Sequence, residues 1–454
     1  MRVSHISARA TCSALLAASL VSGITLNVDD HNSIKAAAST MAYKMVEFYP
    51  GNKTGGEPGL LGSPYYWWEA GAMFGGLIDY WHYTGDDSYN NITFEAILHQ
   101  TGPQNNFEPP EQDLSLGNDD QCFWAMTAMR AAELNFPNPP AGKPSWLSLA
   151  QAVFNRQAAR WDNATCNGGL RWQFQTLQSG YTYKNSICNG CFFNLASRLA
   201  AYTGNDTYSN WASTTYDWTY AIGLISPEYI VYDGTDVKEN CSQIDQYQWS
   251  YNSGIWLHGS SVMWNITQSD AWKARALGIW NASDVFFRGT NNQVMWEAEC
   301  EDTGKCDTDA LSFKAYLSRF MAASIKAAPF LDPLLMPFLR TSAQAAAAQC
   351  NGGADGITCG FKWASGQYDG TYGVGQQMSA MEVTQSLLID SVSGPFTNKT
   401  GGTSQGDPSA GTGGNKNPTD GLKPITTGDK VGAGILTFLV MAFLGGGACW
   451  AIFT

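Results

Sequence analysis

The segment Leu116-Gly117-Asn118-Asp119-Asp120-Gln121 places two adjacent carboxylates at the start of an apolar, helix-forming run. Two close carboxyl groups can cut a glycosidic bond. One attacks the sugar as nucleophile; the other protonates the leaving oxygen and later activates water. The two groups must then stand about 5–5.5 Å apart. Successive helical residues normally diverge. Asp119 and Asp120 meet the requirement only at a helix mouth, with both side chains leaning into one cavity. A simpler account also exists: Asn118 caps the helix and the aspartates complement its positive end. The helix dipole lowers both pKa values, whereas an acid catalyst must keep its proton. Mutual repulsion and desolvation have to raise one of them, and the pair then titrates as a unit.

Five other segments offer sugar contacts, because sugar rings stack on aromatics and present hydroxyls to amides and carboxylates. Residues 64–69 contain Tyr66, Trp67 and Trp68. Residues 169–173 contain Arg171 and Trp172, and residues 231–234 contain Asp233. Residues 248–254 contain Trp249, Tyr251 and Asn252, and residues 368–372 end on Tyr372. With Asn118 these form the candidate substrate-binding set. Each segment alone reads as core or turn. What they share is a place just ahead of a helix.

The elements that must position them repeat. Residues 65–89, 183–208 and 251–272 each run from an aromatic or polar start through Gly or Ala and an apolar stretch to a polar turn. In the first, Met73, Leu77, Tyr80 and Trp81 recur at helical spacing. A Tyr-Thr-Gly-Asp/Asn turn then ends one helix and caps the next. Residues 120–134, 252–264 and 372–388 read as further helices. Strand signals are confined to residues 170–174 and 229–231. Such self-similarity marks repeated helical hairpins, arranged as an open solenoid or a closed ring. In a ring, the segments ahead of the inner helices gather at one mouth.

Composition fits an exported, sugar-facing protein. Of 454 residues 13% are aromatic, with 17 Trp, and only 14% are charged. The net charge of -13 argues against nucleic acid as a partner. Residues 1–23, with Arg2 and Arg9 before an apolar run, have the layout of a secretory signal peptide. Residues 396–430 read as a flexible Gly/Ser/Thr/Asn/Pro linker. Residues 431–454 are apolar, and the linker and tail together resemble a GPI-attachment signal, with attachment expected between Gly413 and Gly421. Asn52, Asn91, Asn163, Asn205, Asn240, Asn265, Asn281 and Asn398 are N-glycosylation acceptors. Between the terminal signals nine cysteines remain. Cys300 with Cys306 and Cys350 with Cys359 are the best candidate disulfides, most cysteines should pair in an oxidising compartment, and Cys122 is the expected free thiol.

Other chemistries find less support. Cys188 and Cys191 form a C-x-x-C without a second ligand pair at zinc spacing. Residues 297–302 are acidic, but an exposed loop tied by a disulfide accounts for them better than calcium. No phosphate-cradling loop or nucleophile elbow is present. His31, His82, His99 and His258 leave a Ser-His-Asp triad open, though nothing marks a nucleophile. No metal or other cofactor is expected.

Taken together, residues 59–74, 117–121, 189–190, 249–254 and 372–385 resemble glycoside hydrolase family 76, the α-1,6-mannanases, and within it the fungal GPI-anchored wall-biosynthesis members. The resemblance covers residues 28–395. It implies an all-α (α/α)6 barrel and a retaining mechanism with Asp119 as nucleophile and Asp120 as acid/base. It further implies a monomer at the plasma membrane or cell wall. The substrate would be α-1,6-mannan or the mannose core of GPI glycans, with a β-glucan acceptor for transglycosylation. The competing expectation is a carbohydrate-binding wall scaffold with a silent cleft.

Overall fold

The computed structural model describes residues 23–412 and 426–453. Almost all of the signal-peptide segment and the expected attachment region lie outside these residues. Among the described residues, twelve α-helices precede residue 412. They are α1 (His31–Val46), α2 (Trp67–Thr84), α3 (Asn90–His99), α4 (Asn118–Glu133), α5 (Trp146–Ala159), α6 (Ser186–Thr203), α7 (Asp206–Ala221), α8 (Ser250–Thr267), α9 (Asp270–Ala282), α10 (Phe313–Ala327), α11 (Asp332–Ala348) and α12 (Val374–Gln385).

The even-numbered helices pack in the order α2, α4, α6, α8, α10, α12, and α12 closes back on α2. Each odd-numbered helix packs outside this ring. The result is the closed (α/α)6 toroid. Burial separates the layers: every residue of α12 is buried, whereas the outer α9 buries four. Small residues let the inner helices approach. A Cβ on Gly254 would lie 3.0 Å from the Leu317 Cα, and one on Gly71 would lie 2.8 Å from the Trp124 ring. Fully buried rings such as Trp124, Trp256 and Tyr316 fill the space between helices.

The expected helix over residues 120–134 begins two residues earlier, and that over 252–264 extends to Thr267. The helix expected over 372–388 is α12, followed by a 3-10 turn, Ser386–Ser391. Gly85 and Gly204 end α2 and α6 in the left-handed region, with φ of 80° and 69°. Asn205 caps α7 through the Thr207 N–H, 2.9 Å. The equivalent Asp86 likewise accepts from the Ser88 N–H at 3.0 Å and also takes the Tyr80 hydroxyl at 2.5 Å, but α3 starts later.

The two strand expectations require correction. Residues 170–174 and 229–231 make only the isolated bridges Gly117–Gln173 and Ile225–Val231, because neither has an extended neighbour along which a ladder could grow. A three-stranded sheet forms instead from β1 (Tyr183–Asn185), β2 (Gly234–Asp236) and β3 (Ile244–Asp245), and a two-stranded one from Phe287–Arg288 and Val294–Met295, all antiparallel. Cys166–Cys241 ties the loop ahead of β1 to the turn between β2 and β3. Cys300–Cys306 and Cys350–Cys359 form as expected. Cys122 is free and buried as anticipated, but Cys188 and Cys191 are free and buried too. The acidic segment 297–302 is not an exposed loop throughout. Glu297 and Glu301 are buried; Glu297 accepts from the Ser250 N–H at 2.9 Å and Glu301 pairs with Lys314 at 3.1 Å.

Residues 396–412, expected as the start of the linker, lie against the toroid. The Phe396 N–H donates to the Glu133 carbonyl at 2.7 Å, and Ser404 Oγ accepts from the Leu147 N–H at 2.9 Å. Asn155 Nδ2 donates to the carbonyls of Pro408 and Ala410 at 3.0 and 2.8 Å. This polar strap climbs α5 from its first residues towards its last. All eight glycosylation acceptors are exposed. Residues Thr427–Phe453 form a separate helix, and among the described residues none is long and apolar enough to cross a membrane.

Candidate active site

The inner helices present their N-termini to a single cavity of about 970 Å³. Residues 60–68, Leu116, Asp119, Asp120 and Phe123, Asn185, Trp249 and Tyr251, and Ala310 and Phe313 all line it. They precede or open α2, α4, α6, α8 and α10, so the ring gathers at one mouth what the chain keeps far apart.

Backbone at the start of α4 fixes the carboxylates. Gly117, not Asn118, is the N-cap residue, and its N–H donates to Asp120 Oδ2 at 2.6 Å. The Asp120 N–H donates to Asp119 Oδ1 at 3.1 Å. Thus the capping account is partly realised, by Asp120, while both side chains still face the cavity. A methyl on Gly117 would lie 2.5 Å from Asp119 Oδ1 and 3.0 Å from Asp120 Oδ2. These two oxygens are therefore at most about 5.5 Å apart, too close for an inverting pair and compatible with a retaining one. The same crowding predicts that Gly117→Ala folds but loses about 100-fold in turnover, since displacing a reacting group by about 1 Å costs that much. Steady-state kinetics beside circular dichroism checks this.

Burial pushes Asp119 up to about 7, against the lowering effects of backbone N–H groups and the Cys188 thiol. Burial also raises Asp120 well above its ordinary range, and the neighbouring Asp119 charge adds to it. Two carboxyls this close titrate as a pair, in which one can be ionised while the other keeps its proton. A nucleophile and an acid need such a division.

Aromatics wall the site. Trp68 packs on Phe123 and Tyr316 with ring centroids 4.6 and 5.7 Å apart. Tyr251 stacks on Phe313 at 3.8 Å. Trp67 is held by a 2.7 Å bond to Gln100, while Tyr66 and Trp172 keep 58% and 37% of their surface exposed. Asp233 accepts from the Tyr183 hydroxyl at 2.7 Å, and burial raises its carboxyl to about 6. Tyr66, Trp67, Trp68, Trp172, Asp233, Trp249 and Tyr251 thus share one cavity with the aspartates.

Four candidates lie outside the lining. Asn118 is buried and locks the loop below: Nδ2 donates to the Arg171 carbonyl and Oδ1 accepts from Arg160, at 2.8 and 3.0 Å. Arg171 pairs with Asp162 at 2.8 Å and lies over Tyr181. Asn252 is fully buried in the first turn of α8. Tyr372 is 68% exposed and stacks near Phe48 at 6.5 Å.

Sequence reasoning missed Asp309. It lines the cavity, accepts from Trp68 Nε1 at 3.2 Å, and is pushed up to about 7 by burial and by Asp307 and Asp120. Its signal was available: an Asp-x-Asp directly ahead of an inner helix, like the other site segments. Asp307, Tyr183 and Gln173 are further wall residues. In all, five aspartates and no Lys, Arg or His line the cavity.

Comparison with known proteins agrees with this geometry. The family model for Glycosyl hydrolase family 76 matches residues 33–399. The chain is 44% identical to mannan endo-1,6-alpha-mannosidase DCW1 of Saccharomyces cerevisiae, over 97% of each chain. It is 41% identical to DFG5 of the same yeast, also a mannan endo-1,6-alpha-mannosidase, over 94% of each. The crystal structure of Dfg5 from Chaetomium thermophilum in complex with glucosamine superposes with a TM-score of 0.82 at 48% identity, covering 85% of this chain and 97% of that one. An α-1,6-mannanase of Salegentibacter shares the fold at 17% identity and a TM-score of 0.63, covering 78% and 99%. The aspartate pair, the six-hairpin ring and these matches lead to one conclusion: the chain belongs to glycosyl hydrolase family 76.

Proposed function

We propose that the protein is a retaining α-mannosidase or transglycosidase acting on α-1,6-linked mannan or on the mannose core of GPI glycans. The observation that carries this is the aspartate pair: two cavity-facing carboxyls with oxygens at most about 5.5 Å apart, both raised by burial and close enough to titrate as a unit. Asp119 attacks the anomeric carbon and forms a glycosyl ester. Asp120 protonates the departing oxygen, then deprotonates the incoming water or sugar hydroxyl.

The stacked aromatics suit pyranose faces, and Asp233 and Asp309 suit sugar hydroxyls. A lining with five acidic side chains and no cation disfavours phosphorylated sugars and accepts neutral or amine-bearing ones. The relative crystallised with glucosamine is consistent with that preference. That the relatives are named mannan endo-1,6-alpha-mannosidases supports mannan, at the wall, as the substrate. We assign the chain to the same surface, as a monomer held through a lipid anchor, with wall β-glucan as the acceptor.

The test is product stereochemistry. Proton NMR of early products from α-1,6-mannotetraose should show the α-anomer first; a β-anomer first would overturn the retaining assignment. Adding a β-glucan oligomer should divert product to the transferred species. With an activated fluoro-mannoside, mass spectrometry should find one mannosyl group on Asp119. A chain that binds the oligosaccharide yet never acquires that adduct nor turns over is a binding scaffold.

A further inference from the structure

Outside the separate C-terminal helix, six large apolar side chains among the described residues are more than half exposed: Tyr43, Tyr66, Leu114, Leu177, Tyr247 and Tyr372. Tyr43 lies on α1. The other five stand on the loops ahead of α2, α4, α6, α8 and α12, which are inner helices that begin at the catalytic mouth. Exposed apolar side chains gathered around an opening mark a surface that meets a partner.

Fastened loops hold them out. Leu114 is 87% exposed and lies between Gln112 and Ser115, which line the cavity. Leu177 is 94% exposed, on the loop that leaves the cavity at Gln173 and returns at Tyr183. Gln175 Nε2 donates to the Asp113 carbonyl at 2.5 Å and ties these two loops together. The Trp172 N–H donates to the Tyr183 carbonyl at 2.7 Å and closes the second. Tyr66 lines the cavity itself, and Tyr247 packs near Trp249 with ring centroids 6.3 Å apart. Tyr372 joins the mouth through Phe48 and Tyr65, at 6.5 and 6.4 Å.

The chemistry of this rim selects its partner. Leucine has neither a flat ring for a sugar nor a polar atom, whereas it suits acyl chains. Tyrosine has an apolar body and a polar tip, and favours the boundary between acyl chains and headgroups. Residues 62–66, 111–116, 173–180, 242–249 and 368–373, which carry the five side chains, contain no Lys or Arg but include exposed Glu111, Asp113 and Asp245. Anionic leaflets attract basic segments, so this rim fits an uncharged one.

The strap points the same way. Gln157, near the end of α5, donates to the Asn118 carbonyl beneath the catalytic pair at 2.6 Å. The last strap residues bond to Asn155, two residues earlier. Chain from 413 to 421, the expected attachment segment, thus departs from the mouth-side half of α5, and nine extended residues span about 30 Å.

We propose that the mouth rim is a membrane-docking surface: Leu114 and Leu177, flanked by Tyr66, Tyr247 and Tyr372, enter a zwitterionic leaflet, so that the cavity opens onto glycans carried by lipids. This rests on the lipid-anchored glycosidase reading above.

The experiment uses the lipid-anchored protein in phosphatidylcholine vesicles. An environment-sensitive fluorescent amino acid in place of Leu177 should shift to the blue when the protein floats with the vesicles. The same probe in place of Leu334 should not, since α11 begins where α10 ends, away from the mouth. Flotation with no shift at 177 overturns the docking proposal and leaves the anchor standing; failure to float overturns both. A shift as large in phosphatidylserine-rich vesicles overturns the choice of an uncharged leaflet. The double variant Leu114→Glu with Leu177→Glu should slow turnover of a lipid-linked α-1,6-mannotetraose in the vesicles by about tenfold. Free α-1,6-mannotetraose should turn over as in the parent. An equal loss on both substrates, or a loss confined to transfer onto a soluble β-glucan oligomer, would make the rim a sugar platform and overturn the proposal. No turnover of either substrate by the parent would instead refute the glycosidase reading, while the shift at 177 still decides docking.

Discussion

Asp119→Asn is expected to fold as well as the parent and to lose at least about 1000-fold in turnover. The amide is isosteric but cannot attack the sugar or carry the glycosyl group. Stability should move the other way from activity. In the fold the Asp119 carboxyl is raised from its ordinary 3.8 to about 7, chiefly by burial. A group raised on folding favours the native state when protonated and loses that advantage as pH rises through its folded value. Above pH 7 the parent therefore bears the cost of a buried charge that asparagine does not carry. Its melting temperature at pH 8 should match or fall below that of Asp119→Asn. Asp120→Asn should be equally slow on oligomannosides, because the leaving hydroxyl then departs unprotonated. With an aryl mannoside whose leaving group needs no proton, much of the first step should return in Asp120→Asn and none in Asp119→Asn. The parent profile should be a bell, rising as Asp119 ionises and falling when Asp120 loses its proton. Calorimetry and steady-state kinetics at pH 5–9 check each point; unimpaired turnover in both variants would remove the pair from the mechanism.

Arg198→Met is expected to cost about 3–5 kcal/mol in folding stability. Inside the ring, Arg198 on α6 makes a two-pronged pair with Glu133 on α4, with Nε–Oε1 2.9 Å and Nη2–Oε2 2.7 Å. Their side chains are only 4% and 7% exposed. The pair fastens adjacent inner helices near the end away from the catalytic mouth. Methionine preserves the stem's packing but leaves Glu133 as an uncompensated buried charge. Chemical denaturation should show a lower midpoint. The double variant Arg198→Met with Glu133→Gln should recover part of the loss, because the stranded charge is gone. An unchanged midpoint in Arg198→Met would mean that water already satisfies Glu133.

The helices, the aspartate pair and most of the aromatic wall were legible in the chain, and the reasons are local. Helical spacing of Met73, Leu77 and Tyr80, a Gly after the last turn, and small residues through the inner layer each follow from i to i+4 geometry. Trp68, Trp249 and Tyr251 were recoverable because each opens an inner helix. Asn118 and Arg171 show where such reasoning stops. Both are polar, both adjoin site residues, and both are spent on fastening the loop beneath the pair. Nothing in residue type distinguishes a side chain that faces sugar from one that secures a loop.

The chain alone determined the hairpin repeat and two of the three disulfides, and through its family resemblance the six-membered ring and the candidate pair of reacting acids. All of these depend on neighbours close in sequence or on a recognisable family pattern. Only the folded ring decided that Asp309, 189 residues beyond Asp120, faces the same cavity. It also decided that residues 396–412 are a strap and not free linker, and that burial raises both Asp119 and Asp120. Those are matters of distance and desolvation between segments remote along the chain, set by how five helix ends converge on one cavity.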